Sequence, residues 1–406
     1  MIFIILSASA IFVRFINLII RILISRISGE EILGMYLMIL PTLSFLLNLT
    51  QAGIPTSLFT LTSHSKYNHK KLMITCFKLI TIQMLICFII VYTLRFHLRT
   101  IFPYLIYIFL FIIIANISSL FRSYYLGIKQ PIKTSIAQII EELSRIFTLT
   151  LLYFITHNIT IQHLFSSMII GELLGCLYLW IHLHFSKKNI TKSPLYKPIL
   201  SISIPTSISQ ITHSFTHFLE PLLYKKILLK KDINLTSIHQ SYGMINGQVL
   251  SLLMIPSFLN NTIYKLLLPR IDLHNNKKTQ KLMTQSLLLC LLIGLPSSIA
   301  FYYFPDFLLS FLYNTTQGSM YLKYIAFPFM IFYIQTPLQA YLQAHMKNKI
   351  LFIFSTLESI TSITLLLIYV PLFEETGLII SFLGSLLIYT LCCFLYVFYD
   401  LFFQKK

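Results

Sequence analysis

Several charged side chains stand inside long apolar runs of this 406-residue chain. Placing an ionised group at mid-bilayer costs about 2.5–3.5 kcal/mol, so each retained charge is a functional candidate. Arg14 and Arg21 lie two helical turns apart, with Asn17 close to the same stripe. Guanidinium groups grip phosphate bidentately, so this stripe could line the path of a phosphate or pyrophosphate. Arg21 is equally placed to snorkel to an interface. Glu141 and Glu142 precede Arg145 by four and three residues, a spacing that serves an intrahelical ion pair or a gate. Glu172 falls within Gly171-Glu-Leu-Leu-Gly175. That spacing lets two helices approach closely, and the acid could sit protonated across the contact. Glu220 and Glu358 have no basic residue within one turn. A carboxylate so placed in lipid takes a proton or holds a cation, which makes the two expected coupling sites for Na+ or H+, or protonated structural residues. His213, Thr216 and His217 share a helix face with Glu220 but lack a metal-binding motif; a polar stripe, with no metal or cofactor, is the expectation. Lys225, Lys226, Lys230 and Lys231 follow, as a basic cluster for lipid phosphates or as snorkelling lysines.

The segments that carry these residues are apolar runs at 2–25, 33–61, 72–96, 102–122, 132–155, 161–185, 198–228, 240–268, 282–303, 319–343, 350–371 and 377–403. They are continuous rather than alternating, which predicts helices and not barrel strands. Residues 56% hydrophobic, a charged fraction of 11% and a mean hydropathy of +0.77 exclude a water-soluble domain, where about 25% of residues are charged. The six cysteines lie inside the runs without metal-ligand spacing. The net charge of +18 does not point to nucleic acid, because the basic residues sit at the ends of spans. Connections after even-numbered spans hold 18 lysines and arginines, among them Arg122, and those after odd-numbered spans hold 7. This asymmetry predicts a multi-pass protein of the cell (inner) membrane with both termini cytoplasmic. Prolines 205, 256, 296, 328 and 337 fall inside the runs and predict bends.

The chain also repeats. Tyr125-Leu126 is followed after 17 residues by Glu142, and Tyr341-Leu342 is followed after 17 by Glu358. A six-plus-six duplication gives two lobes of like topology, 1–197 and 198–406. The fold expected is an all-α, polytopic membrane bundle of about twelve helices in a parallel pseudo-repeat, a design compatible with a central cavity and alternating access.

Arg21-Ile-Leu-Ile-Ser-Arg-Ile-Ser-Gly-Glu-Glu-Ile-Leu-Gly-Met-Tyr36, Leu49-Thr-Gln-Ala-Gly-Ile-Pro55, Phe121-Arg-Ser-Tyr-Tyr-Leu-Gly-Ile-Lys-Gln-Pro131, Gln138-Ile-Ile-Glu-Glu142, Ser201-Ile-Ser-Ile-Pro205, and Tyr242-Gly243, Gly247 and Pro256 stand in a specific order. Together they resemble the polysaccharide transporters of the stage V sporulation protein B type, relatives of lipid II flippases. The resemblance covers 1–270 well. It implies a multidrug/oligosaccharidyl-lipid/polysaccharide exporter fold and the flipping of an undecaprenyl-pyrophosphate-linked glycan, as in peptidoglycan or other polysaccharide synthesis. It places Arg14 and Arg21 as cavity-lining basic residues, with Arg145 as a further candidate, and Glu220 near a sodium-binding acid. Relatives often carry two further spans, and the arginines that lipid II flippases hold in the second span are missing from Leu46-Leu-Asn-Leu-Thr-Gln-Ala-Gly53.

The expectation is therefore a transporter and not an enzyme, because the outer connections are too short for a catalytic domain. The alternative is an ion-coupled multidrug or cation antiporter of the same fold, which would want an acidic cavity. The expected partners are the lipid-linked substrate and the bilayer, with no nucleic acid. No residue sets an oligomeric state, and a monomer would suffice.

Overall fold

A computed structural model describes residues 2–63, 68–93, 104–184, 196–267, 270–271 and 276–402. The connections bearing Lys66, Arg95, Arg99, Lys187, Lys188 and Lys192, the terminal Lys405 and Lys406, and the side chain of His213 lie outside the described residues. The described residues contain helices and turns and no strand. In order the helices are α1 (Ile2–Gln51), α2 (Ile54–Ser63), α3 (His69–Thr93), α4 (Leu105–Gly127), α5 (Pro131–Thr156), α6 (Ile161–Ile181), α7 (Tyr196–Leu229), α8 (Leu235–Tyr242), a π-helical segment (Gly243–Val249), α9 (Leu250–Leu253), α10 (Ser257–Leu267), α11 (Asn276–Tyr303), α12 (Pro305–Tyr313), α13 (Ser319–Ala326), α14 (Met330–Ala344), α15 (Asn348–Phe373) and α16 (Glu375–Phe402).

Among the described residues, α1, α3, α4, α6, α11, α15 and α16 are long and apolar enough to cross a membrane. α5 has the length but carries Lys133, Glu141, Glu142 and Arg145. Apolar side chains of α3 (Ile82, Leu85, Ile86, Ile89), α5 (Phe147, Leu151, Phe154) and α16 (Leu391, Phe394, Leu395, Phe398) are exposed at helical spacing. Such faces are stable against lipid and not against water.

The breaks have local causes. α1 is two helical pieces joined at a kink at Gly29, whose φ of 81° and ψ of 177° suit glycine alone; the run at 33–61 occupies its second piece and continues into α2. Pro256 separates α9 from α10, and Pro328 lies between α13 and α14. A proline removes an N–H donor and cannot continue the ladder. Pro131 opens α5 at a position where no N–H is needed. α6 opens on a reciprocal capping box of Thr160 with His163.

The chain divides into two compact units. The first holds Met1–Ser28 and Met38–Phe218, the second Gly29–Leu37 and Leu219–Lys406. α1 and α7 therefore both contribute to each unit, whereas the duplication reading divides the sequence at 197/198. In the first unit α5 and α6 pack through small residues. A methyl on Gly171 would come within 2.7 Å of the Glu141 carbonyl, and one on Gly175 within 3.1 Å of the Ala137 carbonyl. Leu58, Leu72, Leu120, Tyr124, Tyr125 and Leu179 fill the core there. In the second unit Leu338, Tyr341, Tyr389, Cys393 and Val397 form a core between α14 and α16. Lipid supplies no hydrophobic drive between helices, so such close packing and polar links carry the association.

The two units repeat in detail, in a register one residue away from the sequence reading. α5 and α15 each have 26 residues, and their first residues, Pro131 and Asn348, are 217 apart in the chain. His157 ends α5 with φ 54°, and Glu374, again 217 residues on, ends α15 with φ 53°. Before these helices, Gln130 N donates to Tyr125 O as Lys347 N donates to Leu342 O. Tyr341 therefore corresponds to Tyr124, and Glu358 to Glu141, not to Tyr125 and Glu142. The paired tyrosines at 124 and 125 make either register plausible from sequence; the turn hydrogen bonds decide between them.

Candidate functional site

Around mid-helix, α5 presents two acids to different neighbours. Glu142 faces α1: Asn17 Nδ2 donates to its Oε1 at 2.8 Å. Arg145 Nη1 in turn donates to Asn17 Oδ1 at 3.2 Å and lies 3.7 Å from Glu142 Oε2. Asn17 is thus clamped between an acid and a base of another helix, and it also reaches its own helix at Val13 O, at 3.1 Å.

Glu141 turns the other way. Its expected pairing with Arg145 is not the one formed. Arg122 Nη2 contacts Glu141 Oε2 at 2.6 Å and Glu172 Oε1 at 3.1 Å. One guanidinium nitrogen of α4 therefore joins an acid of α5 to an acid of α6. Adjacent residues on a helix point about 100° apart, and here Glu141 and Glu142 turn to different neighbours. Arg122 corrects the sequence reading, which assigned it to a cytoplasmic connection. It is inside α4, five residues before its end, and a charge near a span terminus cannot be told from a loop charge by composition alone. Its neighbour in sequence, Phe121, is buried.

Of the predicted basic stripe, Asn17 and Arg145 come together. Arg14 is exposed on α1, Arg21 is half-buried, and each has an interaction within the structure. An apolar cavity of about 340 Å³ also lies in this unit, lined by Thr42, Phe45, Leu49, Cys87, Val91 and Phe218 among others. No charged side chain lines it, so it suits hydrocarbon and not a phosphate.

The second unit holds the other candidates. Glu220 on α7 is hydrogen-bonded to the Tyr242 hydroxyl, and Tyr224 exchanges a 2.8 Å hydrogen bond with Ser241. Glu358, half-buried on α15, lies beside Tyr389, and Tyr389 OH accepts from Gln339 Nε2 at 3.0 Å. His217 is exposed on α7. In the basic cluster Lys226 and Lys230 are exposed, Lys225 is half-buried, and Lys231 Nζ lies 3.2 Å from Glu374 Oε1.

Two polar sites were not legible beforehand. Glu30 Oε1 accepts from Gln248 Nε2 of the π-helical segment at 3.0 Å. Asp400 of α16 accepts from Tyr341 OH at 2.7 Å and from Lys347 Nζ at 2.8 Å. Both join residues far apart in the chain, which periodicity cannot report.

A family model described as polysaccharide biosynthesis protein matches residues 3–272. Stage V sporulation protein B of Bacillus subtilis (strain 168) is 28% identical over 371 residues, 84% of this chain and 71% of that protein. Sporulation protein YkvU of the same organism is 23% identical over 369 residues, 83% of this chain and 80% of that protein. Among solved structures, an inward-facing multidrug resistance MATE family transporter of the MOP superfamily superposes with a TM-score of 0.70 at 13% identity, covering 96% of this chain and 98% of that one. The lipid II flippase MurJ in its inward closed conformation gives 0.69 at 16% identity, covering 96% and 87%. At these identities the structural likeness shows a shared fold.

Proposed function

Because the chain belongs to the polysaccharide biosynthesis protein family, and is a multi-pass membrane transporter with the fold of that superfamily, we propose that it flips a lipid-linked glycan precursor from the cytoplasmic to the outer leaflet by alternating access. The observation that carries this reading is the basic and amide set on one stripe of α1, Arg14, Asn17 and Arg21, with Arg145 hydrogen-bonded into it through Asn17. A pyrophosphate linkage needs such donors, and guanidinium supplies them in a fork that matches phosphate oxygens. In this reading Glu220 and Glu358 bind the coupling Na+ or H+, and Lys225, Lys226 and Lys230 meet lipid phosphates at the outer side. The termini are cytoplasmic, in the cell membrane.

A cation antiporter is the second reading, favoured by the likeness to multidrug transporters and by the acids in α7 and α15. The arginines on α1 oppose it, since they repel cationic cargo.

The test is flipping of a fluorescent undecaprenyl-pyrophosphate glycan in proteoliposomes. The parent protein should flip it, and Arg14→Ala, folded to the same degree, should lower the rate at least tenfold. Equal flipping by the variant removes Arg14 from the path. Absence of flipping by the folded parent under imposed sodium and proton gradients, with efflux of a cationic dye, would replace the flippase reading by the antiporter.

A further inference from the structure

The Arg122, Glu141 and Glu172 group holds two acids against one base. Arg122 Nη2 touches both carboxyl groups, and the two carboxyls are within hydrogen-bonding reach of each other. The Glu172 side chain is 8% exposed and that of Glu141 20%. Fully ionised, the trio carries one net negative charge among packed helices. Two carboxylates that share a site in low dielectric hold a proton between them, and a carboxyl–carboxyl hydrogen bond requires one.

Among the described residues, the groups facing the pair supply no second cation. Cys176 of α6 lies beside Glu172 and Arg122. Arg145 and Glu142 are on the adjacent face of α5, engaged with Asn17 of α1. α2, which packs on α4, has no ionisable side chain. On α3, Lys70, Lys71 and Lys78 are exposed, His69 lies against Tyr124 and Cys76 is buried.

The duplicated half of the chain keeps the same charge balance by other residues. At 217 residues' distance Arg122 becomes Gln339, Glu141 becomes Glu358 and Glu172 becomes Tyr389. The arginine and one acid are lost together, and one carboxyl remains. In both halves this position is one positive charge short of neutrality.

We propose that Arg122, Glu141 and Glu172 form a proton-binding site in the first unit, in which one exchangeable proton is shared between the two carboxyls under the Arg122 guanidinium. Binding adds H+ to the carboxylate pair and neutralises the trio; release leaves both acids ionised on one arginine. This site is distinct from the coupling roles given above to Glu220 and Glu358, and its test uses no substrate, so it stands or falls independently of the flippase reading.

The experiment is infrared spectroscopy of the full chain in lipid, reading protonated-carboxyl bands at neutral pH by their shift in D2O. Glu141→Gln and Glu172→Gln should each remove one band, the same one, because Arg122 balances the single acid that is left. The double variant should remove no more. Arg122→Gln should add a second protonated carboxyl. In the parent the shared band should disappear as pH rises, and neither single variant should show that titration. Buried acids elsewhere cancel in the difference spectra. If Glu141→Gln does not fold, Glu172→Gln decides alone. A band unchanged in the folded single variants, or loss of separate bands in each, overturns the proposal.

Discussion

Replacing Glu142 separates two contributions that meet on Asn17. Glu142→Gln keeps an acceptor for Asn17 Nδ2 and loses the charge that faces Arg145, whereas Glu142→Ala loses both. The side chains of Arg145 and Glu142 are 12% and 10% exposed, so little solvent screens them. Breaking a buried pair by removing one partner costs about 3–5 kcal/mol. The 3.7 Å separation is loose for a direct contact, so we expect the alanine variant to cost about 2–3 kcal/mol and the glutamine variant about half that. Thermal unfolding in a fixed lipid or detergent checks the order; equal losses would assign the whole effect to the hydrogen bond. A second pair can be read by pH. Lys347, at the start of α15, is partly buried, which lowers its pKa, but the hydrogen bonds to Asp400 and Tyr396 outweigh burial and leave it above the ordinary lysine value. A raised lysine contributes stability that is fully present below the unfolded value and lost as pH rises through the folded one. The difference in melting temperature between the parent and Lys347→Met should therefore be flat across neutral pH and shrink only in strong alkali. A difference that already shrinks near neutrality would contradict the pairing.

Two glycines in α1 separate the effects of backbone angle and of space. A methyl group on Gly29 would meet nothing within 4 Å, yet its φ/ψ lies where only glycine is at ease. Gly29→Ala should cost about 1–3 kcal/mol through backbone strain alone. Gly34 has ordinary helical angles, but a methyl there would overlap the His239 carbonyl of α8, as one on Gly243 would overlap the Glu30 carbonyl. Gly34→Leu should therefore disrupt the second unit where Gly29→Ala only weakens the chain. Limited proteolysis of α8 and the π-helical segment, together with melting curves, distinguishes the two, and a Gly34→Leu protein as resistant as the parent would disprove the close approach. The apolar runs at 2–25 and 33–61 were readable because hydropathy is a local property. The kink at Gly29 falls in the gap between them, and its angles add that the break is one only glycine takes without strain. Prolines 256 and 328 gave their breaks correctly. The π-helical segment was not legible in hydropathy; a methyl on its Gly243 would overlap the Glu30 carbonyl and one on Gly247 the Leu33 side chain, so α1 approaches it closely.

At the scale of the whole chain the duplication is the strongest constraint. It was legible in outline from Tyr125, Glu142, Tyr341 and Glu358, but one residue out of register, and that residue decides which acids correspond. With Glu141 matched to Glu358, the second unit has Gln339 where the first has Arg122, and Gln339 donates to Tyr389 in place of an ion pair. The ion pairs of Arg122 were not legible in the sequence either, since its partners lie 19 and 50 residues away. The correspondence makes Gln339→Arg an informative change. It would bring a fixed cation to Glu358, an acid that has no arginine in this structure's equivalent position. If Glu358 couples transport to an ion, a resident guanidinium displaces that ion, as Coulomb attraction between neighbours in a poorly screened site favours the tethered charge. Flipping by Gln339→Arg in proteoliposomes should then lose its dependence on the imposed sodium or proton gradient, while Arg122→Gln leaves Glu358 and that dependence in place. The dependence should vanish likewise in Glu358→Gln, whose neutral amide imitates the loaded state. A Gln339→Arg protein that folds and still responds to the gradient as the parent does would take Glu358 out of the coupling role and leave Glu220, hydrogen-bonded to Tyr242, as the acid to examine next.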